Sequence, residues 1–127
     1  KAKLYKKLAQ ELKGKGSYGK ARQYYMEALK LNPSDGSPYL SIAAMYAKSA
    51  NNCGDTNFNK RAVFWLAAIE AEKAGRVDGR LRKAAAQTET SYRASAPSKA
   101  DIFSAGNAGQ TITSCCWIGR SVKVPNI

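Results

Sequence analysis

The sequence contains no histidine, which removes the commonest general base and the commonest metal ligand of proteins. Acidic residues are also scarce, because nine Asp and Glu stand against 21 Lys and Arg, and the nine show no paired arrangement. No run of about 18 apolar residues occurs, so the sequence predicts no transmembrane segment. We therefore expect a protein that is not an enzyme and that carries no cofactor.

The sequence contains only three cysteines, Cys53, Cys115 and Cys116. They lack C-x-x-C spacing and a fourth ligand, so we expect no structural zinc site. An odd count argues against a disulfide framework, and small buried thiols are the main expectation. One pairing of Cys53 with either of the other two stays open in an oxidising compartment. The two adjacent cysteines fall in a predicted strand, where they would point to opposite faces.

The formal net charge is +12 and it is unevenly spread along the 127 residues. Residues 1–30 hold nine basic and two acidic groups, residues 31–78 hold five of each sign, and residues 79–127 hold seven basic and two acidic groups. Basic ends attract anions in general, whether acidic peptides, nucleic acid or an anionic membrane surface. The chain begins at Lys1 rather than Met, so we interpret it as a fragment or a processed product.

A recurrence at 34 residues is the most informative pattern in the chain. The first set is Tyr5, Leu8, Ala9 and Leu12, and the second is Tyr39, Ile42, Ala43 and Tyr46. Both sets have the spacing of one helical face. A second helix follows the first set, with large and small residues on its inner face: Tyr18, Ala21, Tyr25, Ala28 and Leu29. Pro33 ends this helix, because proline cannot continue a helix without losing a backbone hydrogen bond.

The small residues in these sets predict close helix crossings. Where two helices pack tightly, one must present a small side chain to the large side chain of the other. We expect Ala9 and Ala21 to meet inside the first hairpin, and Ala28 to let the next hairpin approach. A hairpin of this kind cannot bury its face alone, so it must stack on a neighbour.

Residues 2–35 resemble the tetratricopeptide repeat family at ten positions without a gap: Tyr5, Leu8, Ala9, Leu12, Gly16, Tyr18, Ala21, Tyr25, Ala28 and Pro33. Ala9 replaces the usual glycine and Leu12 the usual tyrosine, and both changes conserve size. The resemblance implies an all-α fold, a right-handed superhelical array of about five helices in antiparallel hairpins. From the strand pattern near the C-terminus we add a short β-hairpin after the array.

The expected organisation is helical repeats over residues 1–96 and a tail over residues 97–127. Repeat one spans 2–35, repeat two spans 36–79 with a loop insertion at 48–60, and a capping helix spans 80–96. In the insertion, Asp55, Asn57 and Asn59 are spaced like the start of a calcium-binding loop. Lys60 and Leu66 stand where that loop needs glycine and glutamate, so we expect no calcium site.

The tail differs in kind from the repeats. Ser98 is predicted to cap a short turn of helix through Phe103, and the stretches TITSCCW and SVKV read as two strands. An isolated hairpin is marginal in water, so Trp117, Val122 and Val124 are expected to pack on the last helices. The ending CWIGRSVKV resembles the tail of some exported bacterial tetratricopeptide proteins. This resemblance implies export to the bacterial cell envelope.

In the family that the repeats resemble, the first helix of each hairpin lines a concave groove that binds segments of other proteins. Transferring those positions gives the candidate groove residues Lys3, Lys6, Lys7, Gln10, Lys13, Leu40, Ser41, Ala44, Lys48, Lys83, Gln87 and Arg93. The resemblance thus implies a protein-interaction scaffold with a groove that is basic at both ends and apolar in the middle. Such a groove suits a protein or peptide with acidic flanks.

One other function competes with this expectation. A nucleic-acid-binding module is the alternative, supported by the net charge and by tyrosines interleaved with lysines in residues 1–25. The family also includes a clamp for terminal carboxylates, which uses one lysine and two asparagines. Lys6 fits that lysine, but Gln10 and Ser41 replace the asparagines, so we do not expect a clamp of that type.

Overall fold

The computed structural model describes residues 1–114 and 116–127. Within them lie six α-helices: α1 (Ala2–Gly14), α2 (Tyr18–Leu31), α3 (Ser37–Ser49), α4 (Asn57–Val77), α5 (Arg82–Ser95) and α6 (Lys99–Ala105). Two short strands follow, β1 (Thr111–Thr113) and β2 (Ser121–Lys123), and they pair antiparallel. The coarse prediction of a helical chain ending in a β-hairpin is therefore confirmed.

Alanine builds the contacts between successive helices. The first five helices pack in chain order, α1 on α2, α2 on α3, α3 on α4 and α4 on α5. Ala9 of α1 and Ala21 of α2 are both 0% exposed, as are Ala43 of α3 and Ala67 of α4. Because a methyl group is all that each presents, neighbouring helices approach closely. The predicted burial of Ala9, Ala21 and Ala28 is confirmed.

The loop predicted at residues 48–60 is much shorter than expected. Helix α3 continues through Ser49, and a 3₁₀ turn over Ala50–Asn52 extends it. Ser49 and Ala50 are buried, and packing overrides the weaker helix propensity of Ser49. Only residues 53–56 separate this turn from α4, whose first turn is capped by the Thr56 hydroxyl, which accepts a hydrogen bond from Asn59 N–H. The predicted start of α4 near residues 57–60 is correct.

The link between α2 and α3 requires a glycine. A Cβ placed on Gly36 would lie 2.4 Å from the Ala74 carbonyl oxygen of α4 and 3.0 Å from Asp78 Cβ. Neither a backbone oxygen nor a buried side chain can move away cheaply. The start of α3 is therefore pressed against the end of α4, and this close approach helps to position the site described below.

The start of α6 matches its prediction. The Ser98 hydroxyl accepts a hydrogen bond from Asp101 N–H, and the Asp101 carboxylate accepts one from Ser98 N–H, which is a complete capping box. Helix α6 runs to Ala105, two residues beyond the predicted end. Gly106 then stops it in a left-handed conformation, with φ of 65°.

Trp117 of the tail packs on other helices than those predicted. The Trp117 ring contacts Tyr18 of α2 and Tyr46 of α3, with ring centroids 5.6 and 5.3 Å away. Val122 and Val124 are buried, and β2 contacts α4. The expectation that these side chains cover the last helices is wrong for Trp117. The indole contacts aromatic rings on α2 and α3 instead.

A disulfide joins the tail to the turn before α4, which corrects the main expectation of free thiols. Cys53 and Cys116 are bonded, with their Cα atoms 5.9 Å apart. Cys116 lies in a turn with φ of 58° rather than in a strand, because β1 already ends at Thr113. The prediction that two adjacent cysteines face opposite sides of a strand also involves Cys115, which lies outside the described residues.

Candidate partner-binding groove

Two cavities lie at opposite ends of α1. The N-terminal cavity, about 440 Å³, is lined by Ala2, Lys3, Lys6, Asn32, Asp35, Ser37, Arg80 and Leu81. The C-terminal cavity, about 580 Å³, is lined by Gln10, Lys13, Gly14, Lys15, Gly16, Tyr18 and Lys48. Each cavity takes residues from the same end of α1 and of α3. These two helices therefore run in the same direction.

One stripe of residues on each helix runs from the end near one cavity to the end near the other. On α1 it consists of Lys3, Lys6, Lys7, Gln10 and Lys13, and on α3 of Ser37, Leu40, Ser41, Ala44 and Lys48. Spacings of three and four keep each stripe on one helical face. The span from Lys3 to Lys13 is about 15 Å, because a helix rises 1.5 Å per residue. We call this surface the groove.

The middle of the groove is mostly small or apolar. Leu40, Ser41 and Ala44 are each half-buried, and Leu40 also packs against the buried core. Lys7, in the middle of the stripe on α1, is exposed. A bound segment in this position would contact methyl and methylene groups between two charged ends.

The candidate residues of α5 do not line either cavity. Lys83, Gln87 and Arg93 are exposed, and Arg93 Nε lies 2.9 Å from a Glu89 carboxylate oxygen. Arg80 and Leu81, which immediately precede α5, are the residues that enter the N-terminal cavity. The cavities therefore bring together Lys3 and Lys6 at one end of α1, and Gln10, Lys13 and Lys48 at the other. The remaining candidates line neither cavity: Lys7, Leu40, Ser41, Ala44, Lys83, Gln87 and Arg93.

Sequence reasoning missed Asp35, which neutralises part of the N-terminal cavity. Lys6 Nζ lies 2.8 Å from Asp35 Oδ2, and Ser37 N–H donates to Asp35 Oδ1 at 3.0 Å. Burial raises the pKa of Asp35, but the hydrogen bonds from Lys6 and Ser37 outweigh it, so its pKa lies below the usual value. An acidic residue two positions before Ser37-Pro38, at a helix start, was the available signal.

A second missed carboxylate, Asp78, joins α3 to the end of α4. It is only 4% exposed and accepts hydrogen bonds from Gly36 N–H at 3.0 Å and from the Arg80 guanidinium at 3.0 and 3.2 Å. The side-chain bonds from Arg80, and then the bond from Gly36, lower the pKa of Asp78 from 3.8 to about 2. Arg80 is thus already paired at the edge of the N-terminal cavity.

We expect Asp78→Asn to lower the stability of the protein in a pH-dependent manner. The folded-state pKa lies below the unfolded value, so the carboxylate stabilises the fold fully above about pH 4. That contribution is lost as the pH falls through about 2. Urea unfolding at a series of pH values should therefore show a gap between parent and variant that closes on acidification. Asp55→Asn, at an exposed carboxylate, is the control, and a gap independent of pH would contradict the assignment.

The C-terminal cavity has no carboxylate to balance its charge. Lys13, Lys15 and Lys48 line it, and none of them forms an ion pair within residues 1–114 and 116–127. Lys15 was not among the predicted site residues, because it lies in the turn after α1 rather than on the helical face. Three unpaired ammonium groups around one cavity attract an anion.

The groove offers hydrogen-bond donors, positive charge and apolar contact, which are the means of non-covalent binding. Among the described residues, no three side chains of metal-binding type come together, and no helix is both long and apolar enough to cross a bilayer. Comparison with known proteins finds no family model, no curated protein and no solved structure that matches this chain.

Proposed function

We propose that this chain is a non-catalytic protein-interaction module of the tetratricopeptide type. In this proposal α1 to α5 form a right-handed superhelical array, and the groove binds an extended segment of another protein. The 34-residue recurrence supports the array, as does the parallel course of α1 and α3 between the same two cavities. The bound segment carries acidic residues and a short apolar stretch.

The observation that carries this proposal is the pair of cavities at the two ends of α1 and α3. The ends of the groove are basic, at Lys3 and at Lys13, and its middle presents Leu40 and Ala44. Apolar contact contributes affinity that salt does not screen, whereas the lysines chiefly accelerate and orient the encounter. A groove with both features fits a peptide better than it fits a uniform polyanion.

The tyrosines argue against the nucleic-acid alternative. Tyr25 and Tyr46 are buried, and the rings of Tyr5 and Tyr24 stack on each other at 5.9 Å between centroids. Binding of single strands relies on aromatic faces that are free to stack on bases. These rings instead pack between helices, so they are not free to stack on bases.

The disulfide supports a location outside the reducing cytosol. Disulfides persist in secreted, periplasmic and cell-surface proteins and are rare in the cytosol. The bond between Cys53 and Cys116 therefore fits export, in line with the resemblance of the tail to exported bacterial proteins. We propose an extracytoplasmic setting such as the bacterial cell envelope.

A peptide selection tests the proposed function. We expect a display library of random 12-residue peptides to yield binders that combine Asp or Glu with apolar residues. Ala44→Glu, which puts a large charge on the groove floor, should weaken them at least tenfold. Ala86→Glu, at an exposed alanine of α5, should leave their affinity unchanged.

Salt dependence separates the peptide from a nucleic acid. Binding through phosphates weakens steeply between about 50 and 200 mM salt, because counterions are released. A peptide held partly by the groove floor should weaken less over this range. Tight binding of a single-stranded oligonucleotide, with that steep dependence and no effect of Ala44→Glu, would contradict the proposed function.

A further inference from the structure

We infer that the C-terminal cavity is the anchor for a run of carboxylates in the bound segment, and that Lys13, Lys15 and Lys48 hold this run. The inference rests on the proposed function and adds that only one end of the groove holds the acidic part of the segment. The sequence predicts two equivalent basic ends, whereas the charges around the cavities make them unequal.

The N-terminal cavity is largely neutralised from within the chain. Lys6 is paired with Asp35 at 2.8 Å, and Arg80 is paired with Asp78 at 3.0 Å. Of the three cations that line this cavity, Lys3 alone has no ion-pair partner in the part of the chain that the structure describes. An incoming carboxylate must therefore compete with an internal carboxylate that already has good geometry.

The C-terminal cavity contains three cations and no competitor. The partial negative charges at the ends of α1 and α3 oppose an anion, but each amounts to about half an elementary charge. The last carbonyls of α1 are also occupied, because they accept hydrogen bonds from the N–H groups of Lys15, Gly16 and Ser17. The three full positive charges of the lysines outweigh the partial negative charges at the helix ends. A bound anion also relieves the repulsion among the lysines.

One wall of the C-terminal cavity is rigid. Tyr18 lines the cavity and packs edge-on against Trp117, with 5.6 Å between ring centroids. The Trp117 indole N–H donates to the Ser49 hydroxyl at 2.9 Å, and Ser49 directly follows Lys48 in α3. Fixing this wall before binding lowers the entropy that binding costs.

The length of the groove determines how many residues of the bound segment adjoin the carboxylates. About 15 Å separates the two ends along α1. An extended chain advances about 3.3 Å per residue, so four or five residues cross the groove. The inferred ligand is therefore a short run of Asp or Glu adjoining four or five small or apolar residues.

Two double variants with the same change in charge test this inference. The probe is a fluorescein-labelled peptide, EEEGLALS, with QQQGLALS as its uncharged counterpart, measured by fluorescence anisotropy at about 50 mM salt, where screening is weak. The anchor variant is Lys13→Glu with Lys48→Glu, and the control is Lys3→Glu with Lys7→Glu. Both lower the net charge by the same amount within the groove. Circular dichroism and thermal melting check that each variant folds.

We expect EEEGLALS to bind the parent and QQQGLALS to bind at least tenfold more weakly. The anchor variant should lose at least tenfold in affinity for EEEGLALS, and the control variant less than threefold. Equal losses in both variants would mean that only overall charge matters and would overturn the anchor. Failure of the parent to bind EEEGLALS would overturn it as well.

Two further outcomes distinguish failure of the anchor from failure of the proposed function. If Ala44→Glu abolishes binding while the anchor variant binds normally, the groove is used and the anchor is wrong. If no peptide binds and an oligonucleotide does, the proposed function fails together with the anchor.

Discussion

Replacing Cys53 with serine is expected to lower the free energy of unfolding by about 4 kcal/mol, from the loss of loop-closure entropy. The bond to Cys116 closes a loop with a sequence separation of 63 residues. Cross-linking so long a loop restricts the unfolded chain strongly, and this restriction disappears in the variant. Because folded domains are stable by only about 5–15 kcal/mol, the loss is a large share of the total.

Urea unfolding under oxidising and reducing conditions measures this effect. The parent should lose stability on reduction, and Cys53→Ser should be insensitive to the reductant. Cys116→Ser should match Cys53→Ser, and the double variant should be no worse than either, because all three lack the same bond. Cys115→Ser is the comparison that decides the pairing. A cost as large as that of Cys116→Ser would contradict the bond between Cys53 and Cys116.

Helices α1 and α2 could be predicted because their signals are local. Tyr18, Ala21 and Tyr25 repeat at helical spacing within one segment, and Pro33 marks its end. Periodicity of this kind reports which face of a helix is buried. It also predicted where α4 starts, but not the extent of α3, because burial of Ser49 outweighs polar composition.

The position of the tail could not be predicted from local patterns. Arg22 donates to the carbonyl oxygens of Trp117 and Ile118, at 3.1 and 2.9 Å, across 95 and 96 residues of sequence. No periodicity encodes a contact between such distant segments. The same limit applies to the candidate site, where Asp35 reaches Lys6 across 29 residues and changes the charge of the N-terminal cavity. Sequence reasoning found the lysines but not the carboxylate that neutralises one of them.

Trp117→Ala is expected to cost about 3 kcal/mol of stability, near the lower end for removal of a packed tryptophan because this ring is partly exposed. The ring contacts Tyr18 and Tyr46, and its N–H donates to Ser49. The Arg22 guanidinium lies 5.1 Å from the ring centroid, a cation–π distance. Removing the indole therefore weakens the attachment of the tail to α2 and α3 at several points.

Two further variants identify the cause of that loss. Trp117→Phe keeps an aromatic ring but loses the indole donor, so we expect a cost of about 1 kcal/mol. Phe103→Ala removes an aromatic ring of α6 that is 79% exposed, and a change within about 0.5 kcal/mol is expected there. Similar costs for Trp117→Ala and Phe103→Ala would mean that Trp117 does not pack on the helices.

Trp117→Ala should also weaken peptide binding, because Tyr18 packs against Trp117 and lines the C-terminal cavity. A wall that must become ordered during binding costs affinity without removing any contact to the peptide. At a temperature where Trp117→Ala is still fully folded, its affinity for EEEGLALS should fall severalfold, while that of Phe103→Ala stays at the parent value. Unchanged affinity in Trp117→Ala would show that the tail stabilises the helices without shaping the groove.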